Sequence, residues 1–100
     1  MRALLIYPHE KRVVEKQIDE HLEAYLQGTG TMKITKVRGL SGRDALYTFH
    51  GASPPLHKFR VKGFVEDFYG SAAVVGHTLD GEMTSADSSK RAVGRLIAFP

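Results

Sequence analysis

The chain contains no cysteine and no tryptophan, and aromatic residues make up only 9% of its 100 positions. Without thiols there is neither a disulfide framework nor a thiolate metal site. Long apolar runs are missing too: the longest are "ALLIY" and "AAVV", far short of a membrane span. The opening "MRALLIYPHEK" has no apolar stretch of signal-peptide length and no small-residue cleavage site. A soluble protein of the cytoplasm is therefore expected, or of the host cytoplasm if the gene is carried by a phage. With 42% hydrophobic and 25% charged residues, the composition suits one globular domain, residues 1–100.

Cations are present in excess, and they are unevenly placed. The net charge is −1 over residues 1–30, +6 over 31–62 and −2 over 63–100. The middle segment holds Lys33, Lys36, Arg38, Arg43, Lys58, Arg60 and Lys62 against the lone Asp44. A clustered field attracts anions where an interspersed one cancels. In "HKFRVKGF" the alternation of a strand sets Lys58, Arg60 and Lys62 on one face and Phe59 with Val61 on the other. Two readings remain for such a face: an anion-binding surface, or a solvated edge whose lysines discourage pairing.

Periodicity and turn residues divide the chain into short elements. "RALLIY" reads as a buried strand. "RVVEKQIDEHLEAYLQG" is either one helix ending at Gly28 or a hairpin return strand followed by a helix over "DEHLEAYLQ" capped by Asp19. Strands are expected at "MKITKVRG", where Lys36 and Arg38 share a face with Ile34, and at "ALYTF", "HKFRVKGF", "SAAVVGHTL" and "RLIAF". "HGASPPL" is a loop, "VEDFYG" a break and "DGE" a turn. "SADSSKRAVG" carries Ser85 as N-cap and Gly94 as helix stop. The expected fold is α+β: a small mixed or antiparallel sheet of about six short strands with one medium and one short helix.

The order of elements resembles a known family. "MRALLIYPHEKRVVEKQID", "DALY" (Asp44, Leu46, Tyr47), "GSAAVVGHTLDGE" (Gly70 to Glu82) and "SADSSKRAVGRLIAF" are similar to successive motifs of the domain of unknown function 3846 family, found in phages and plasmids. The likeness extends over nearly the whole chain. It departs after "LY", where that family has an acidic turn and this chain has "TFHGASPP". The resemblance favours the hairpin reading of residues 2–18 and implies a mobile-element origin; it implies no known chemistry.

Catalytic patterns are not apparent. His9, His21, His50, His57 and His77 lack metal-ligand spacing. "GTGTMK" lacks the spacing of a phosphate loop and follows a helical pattern rather than opening one. "GAS" is not a nucleophile elbow, and the carboxylates Glu66-Asp67 and Asp80/Glu82 read as turn residues. The chain is thus expected to be non-enzymatic, with no metal or cofactor. Arg38, Arg43, Lys58, Arg60 and Lys62 are the expected phosphate contacts, since Arg offers a two-pronged planar donor and Lys a point charge. Tyr47 and Tyr69, whose polar tips need a partner, are the expected contacts to a base or ribose. The leading expectation is a counter-defence protein, a homo-oligomer, that sequesters an anionic nucleotide-like host signal uncleaved. Two alternatives remain: a nucleic-acid-binding module, or an inhibitor docking on a host protein through edge strands or the acidic first helix.

Overall fold

The computed structural model describes residues 1–19, 21–26 and 30–100. Its nine strands are β1 (Arg2–Tyr7), β2 (Arg12–Gln17), β3 (Met32–Thr35), β4 (Ala45–Phe49), β5 (Lys58–Val61), β6 (Asp67–Tyr69), β7 (Ala72–His77), β8 (Met83–Thr84) and β9 (Ile97–Ala98). One α-helix, α1 (Lys90–Leu96), and a 3₁₀ turn at Leu22–Tyr25 complete the described elements. The large sheet runs β2-β1-β7-β4-β3, with β8 on β7; the small sheet runs β6-β5-β9. Every ladder is antiparallel. No helix among the described residues is long and apolar enough to cross a membrane.

The apolar runs form strands buried on both faces, which is why they do not alternate with polar residues. Ala3, Leu4, Leu5 and Ile6 are fully buried. Leu4 and Ile6 join Val74, Phe59, Phe68 and Val93 in a core between the large sheet, the small sheet and α1. Leu5 and Ala3 face the other way, with Tyr47, Val75, Ile18, Leu22 and Leu26. Phe59 and Phe68 stack at 5.5 Å, and Phe64 meets Phe68 edge-on. Burying one such ring fully contributes roughly 1.5–3 kcal/mol.

Several expectations are corrected. Residues 2–17 are a β-hairpin, but among the described residues only a 3₁₀ turn, Leu22–Tyr25, follows it in place of the medium helix. The Asp19 carboxylate accepts from the His21 N–H two residues on, an Asx turn that competes with helical hydrogen bonding. A stretch that short gains little from helix formation alone, so a tight turn suffices to bury Leu22 and Leu26. Glu20, Gln27 and the proposed helix stop Gly28 lie outside the described residues. "DFY" in the expected break is strand β6. Lys36 and Arg38 lie beyond β3, and Lys62 lies just past the end of β5. Ser89, not Ser85, caps α1, its hydroxyl accepting from the Ala92 N–H. Ser85 and Ser88 are spent elsewhere, accepting from the N–H groups of Arg2 and Ser41. The helix then runs through Gly94 to Leu96.

Candidate functional site: a basic hollow beside the small sheet

The alternation expected of "HKFRVKGF" is present in β5. Phe59 and Val61 are buried, while Lys58 and Arg60 are exposed on the outer face of the small sheet. Their cross-strand partners are Tyr69 and Asp67 of β6. One carboxylate serves both cations: Arg60 Nε donates to Asp67 Oδ1 at 2.9 Å, and Lys58 Nζ to Oδ2 at 3.3 Å. The Arg60 hydrogen bond, with help from Lys58, holds the Asp67 carboxyl below its ordinary value. Only the Nε edge of the Arg60 guanidinium is engaged among the described residues, which leaves the two terminal amino groups for another acceptor.

Beside this row lies a hollow of about 370 Å³ bordered by Arg60, Lys62 and Arg95, with Phe64, Leu96 and Ile97 among its lining residues. Backbone pairing brings these segments together. The Lys62 N–H donates to the Leu96 carbonyl at 2.8 Å, and β9 pairs with β5 opposite Arg60 and Val61. No carboxylate is part of the lining. Lys62 and Arg95 make no ion pair among the described residues. The arrangement offers a planar donor, a point charge and a second planar donor around an apolar patch, the chemistry that binds a phosphate with an organic group attached.

The other expected residues are not gathered there. Arg38 and Arg43 are exposed in the connection from β3 to β4. That connection is tied toward α1, since the Ser41 N–H donates to Ser88 Oγ at 2.8 Å. Tyr47 is not available to stack on a ligand: it is 5% exposed, and its hydroxyl bonds to His77 Nε2. His77 Nδ1 lies 2.9 Å from the Arg43 carbonyl. A carbonyl only accepts, so Nδ1 carries the proton, Nε2 is the acceptor, and the Tyr47 hydroxyl donates to it. Burial raises the Tyr47 pKa above its ordinary 10.0. Tyr69 is half-buried and stands beside Lys58, but it lines a different cleft, of about 210 Å³, with Lys33, His50 and Asp67.

Arg95 is the residue that sequence reading missed. It follows Arg91 by four places, the spacing that puts two side chains on one helix face. Placing the helix stop at Gly94 hid that signal. The motif residues, by contrast, are used in folding. The Asp44 carboxylate accepts from the backbone N–H groups of Asp87 and Ser88, at 2.7–3.1 Å. At Gly76, a Cβ would stand 2.5 Å from the Ser85 carbonyl and 3.1 Å from Asp44. No side chain fits where these backbones cross.

Comparison of the chain with protein-family models, with curated proteins and with solved structures found no match.

Proposed function

We propose that the protein binds a phosphorylated, nucleotide-like small molecule on the outer face of the small sheet and retains it unchanged. Arg60, Lys62 and Arg95 take the phosphate, Lys58 extends the positive row, and the ligand reaches along that row to the neighbouring cleft, where Tyr69 contacts the base or ribose. The observation that carries this reading is the hollow bordered by three cations and no carboxylate. Its size lies within the usual range for small-ligand sites, about 300–1,000 Å³. Because the hollow is open to solvent, a second copy of the chain closes it, which gives a homo-oligomer. The resemblance to a phage and plasmid family supplies the biological half: a counter-defence protein that sequesters a nucleotide-derived host signal.

The test is trap and release. Purified protein is incubated with cyclic dinucleotides and ADP-ribose derivatives, freed of unbound ligand, heat-denatured, and the released molecule identified by mass spectrometry. An intact ligand supports sequestration, and a converted one makes the protein an enzyme. Arg60→Ala, Lys62→Ala and Arg95→Ala should each reduce retention at least ~10-fold, the loss of one charge-assisted contact of ~1.5–3 kcal/mol. Their melting curves should stay within a few degrees of the parent. A ligand held in an enclosed site also loses affinity with salt far less steeply than a polynucleotide does.

A further inference from the structure

A second basic hollow lies between α1 and β2, and it contains none of the residues assigned above. Two Lys-Arg dipeptides from opposite ends of the chain, Lys11-Arg12 and Lys90-Arg91, border a groove of about 620 Å³ between β2 and α1. Val13, Val14 and Phe99 give it apolar walls, and Gly94 lies along it with open space where a Cβ would stand.

The strand at this groove has an open edge. β2 is terminal in the large sheet. At its far end Met1 and Ile18 exchange both backbone hydrogen bonds, at 2.7 and 2.8 Å. In an antiparallel ladder such pairs alternate with non-bonded ones. Lys16, Val14 and Arg12 are therefore the bonded partners of β1, and the N–H and C=O groups of Val13, Glu15 and Gln17 point away from it. None of those three forms a further backbone hydrogen bond among the described residues. Val13 and Val14 project to opposite faces, so a hollow lined by both meets the strand edge-on.

Charge selects the occupant. The carboxylates of this hairpin are already engaged, Glu10 with Arg12 and Glu15 with Arg2. Lys11, Lys90 and Arg91 make no ion pair among the described residues. We infer that the groove between β2 and α1 binds an extended acidic peptide segment of a partner protein by adding it as a strand to β2. The peptide's backbone continues the ladder through Val13, Glu15 and Gln17. Its side chains alternate between faces, so its carboxylates on the α1 side meet Lys90 and Arg91, and its apolar side chains on the other face lie beside Val14. A nucleic acid matches the charge but neither the ladder nor the apolar walls.

The test uses the full chain and a fluorescein-labelled peptide alternating Glu with Val, followed by fluorescence polarisation. Saturable binding is expected, with no binding of the matching Lys–Val peptide. Lys90→Glu with Arg91→Glu should weaken it at least ~10-fold, and so should Glu15→Pro, which removes an outward N–H that β1 does not use. Glu15→Ala, which keeps that N–H, should bind as well as the parent. If Glu15→Pro does not fold, judged by circular dichroism, backbone N-methylation of the peptide replaces it and should abolish binding. Equal binding by Glu15→Pro, or by the N-methylated peptide, overturns strand addition. So does absence of saturable binding, or competition by oligothymidylate, which makes the occupant a nucleic acid. A dimer in sedimentation that dissociates on Glu15→Pro also overturns the proposal, because the occupant is then a second copy.

Discussion

Two sets of polar residues in this protein do opposite things. Asp44, Tyr47 and His77 belong to the short motifs a reader notices first, and they lie on or beside β4 and β7 of the large sheet. Each is satisfied there: Asp44 by two backbone N–H groups, Tyr47 by His77, and His77 by the Arg43 carbonyl. Arg60, Lys62 and Arg95 belong to no motif, and they border a hollow with no carboxylate in it. These residues mark places where the backbone or a buried polar tip needs a specific partner. The surface open to ligands is built from charges that the fold leaves over.

The sharpest way to break this comparison is to mutate the interior set and look for ligand loss without unfolding. Asp44→Ala strands the Asp87 and Ser88 N–H groups, each costing about 1–3 kcal/mol when buried without a partner, so ~2–6 kcal/mol in all. Domains of this size have only about 5–15 kcal/mol in reserve. Urea denaturation should show that fall. Ligand retention per folded molecule should not change. If retention vanished while stability held, Asp44 would be part of the site.

This division also decides what could be read in advance. "RALLIY", "ALYTF" and "SAAVV" are legible as strands because unbroken β-forming runs have few alternatives. "DEHLEAYLQ" misleads because its apolar spacing suits a helix, while the Asp19 turn beneath it is local chemistry that periodicity does not register. Ser85, Ser88 and Ser89 have equal claims to the helix cap by composition. The choice falls on Ser89 because Arg2 and Ser41, distant in sequence, take the other two. Tyr47 and Tyr69 look alike for the same reason: the partner that holds Tyr47 is His77, thirty residues away. The basic alternation at Lys58 and Arg60 was readable, but its neutralising partner Asp67 and its extension to Arg95 depend on how strands pair.

A smaller effect should come from Tyr47→Phe, which deletes one hydrogen bond worth about 0.5–1.5 kcal/mol. Its sign with pH is the more telling measurement. The Tyr47 pKa is raised in the folded state, so folding keeps the hydroxyl protonated. That contribution is complete below the unfolded value near 10.0 and is lost as pH rises through the higher folded value. The parent should therefore lose stability above pH 10 more steeply than the Phe variant, as followed by thermal melts across the alkaline range. Parallel curves would mean that the phenol is not held by its surroundings.

The finest test lies at Asp67, which is paired with the cations of β5. Its carboxylate orients Arg60 through Nε and at the same time cancels part of the charge that an anion would meet. Asp67→Asn separates these roles, because the amide oxygen still accepts from Nε–H while the negative charge is gone. Stability should change little, as for exposed ion pairs generally. Phosphate or nucleotide affinity, measured by calorimetry, should rise a few-fold. Asp67→Ala removes the orienting acceptor too and should give less gain than Asn. Acid pH offers the same contrast without mutation. The Asp67 pKa is lowered in the folded state, so its contribution to folding is complete above the ordinary value of 3.8 and is lost as pH falls through the depressed one. In the parent, anion affinity should climb over that lower window, provided the probe anion stays charged; in Asp67→Asn it should not. Identical acid profiles would mean that Asp67 neither guides nor restrains the site, and that the cations on this face are only a solvated edge.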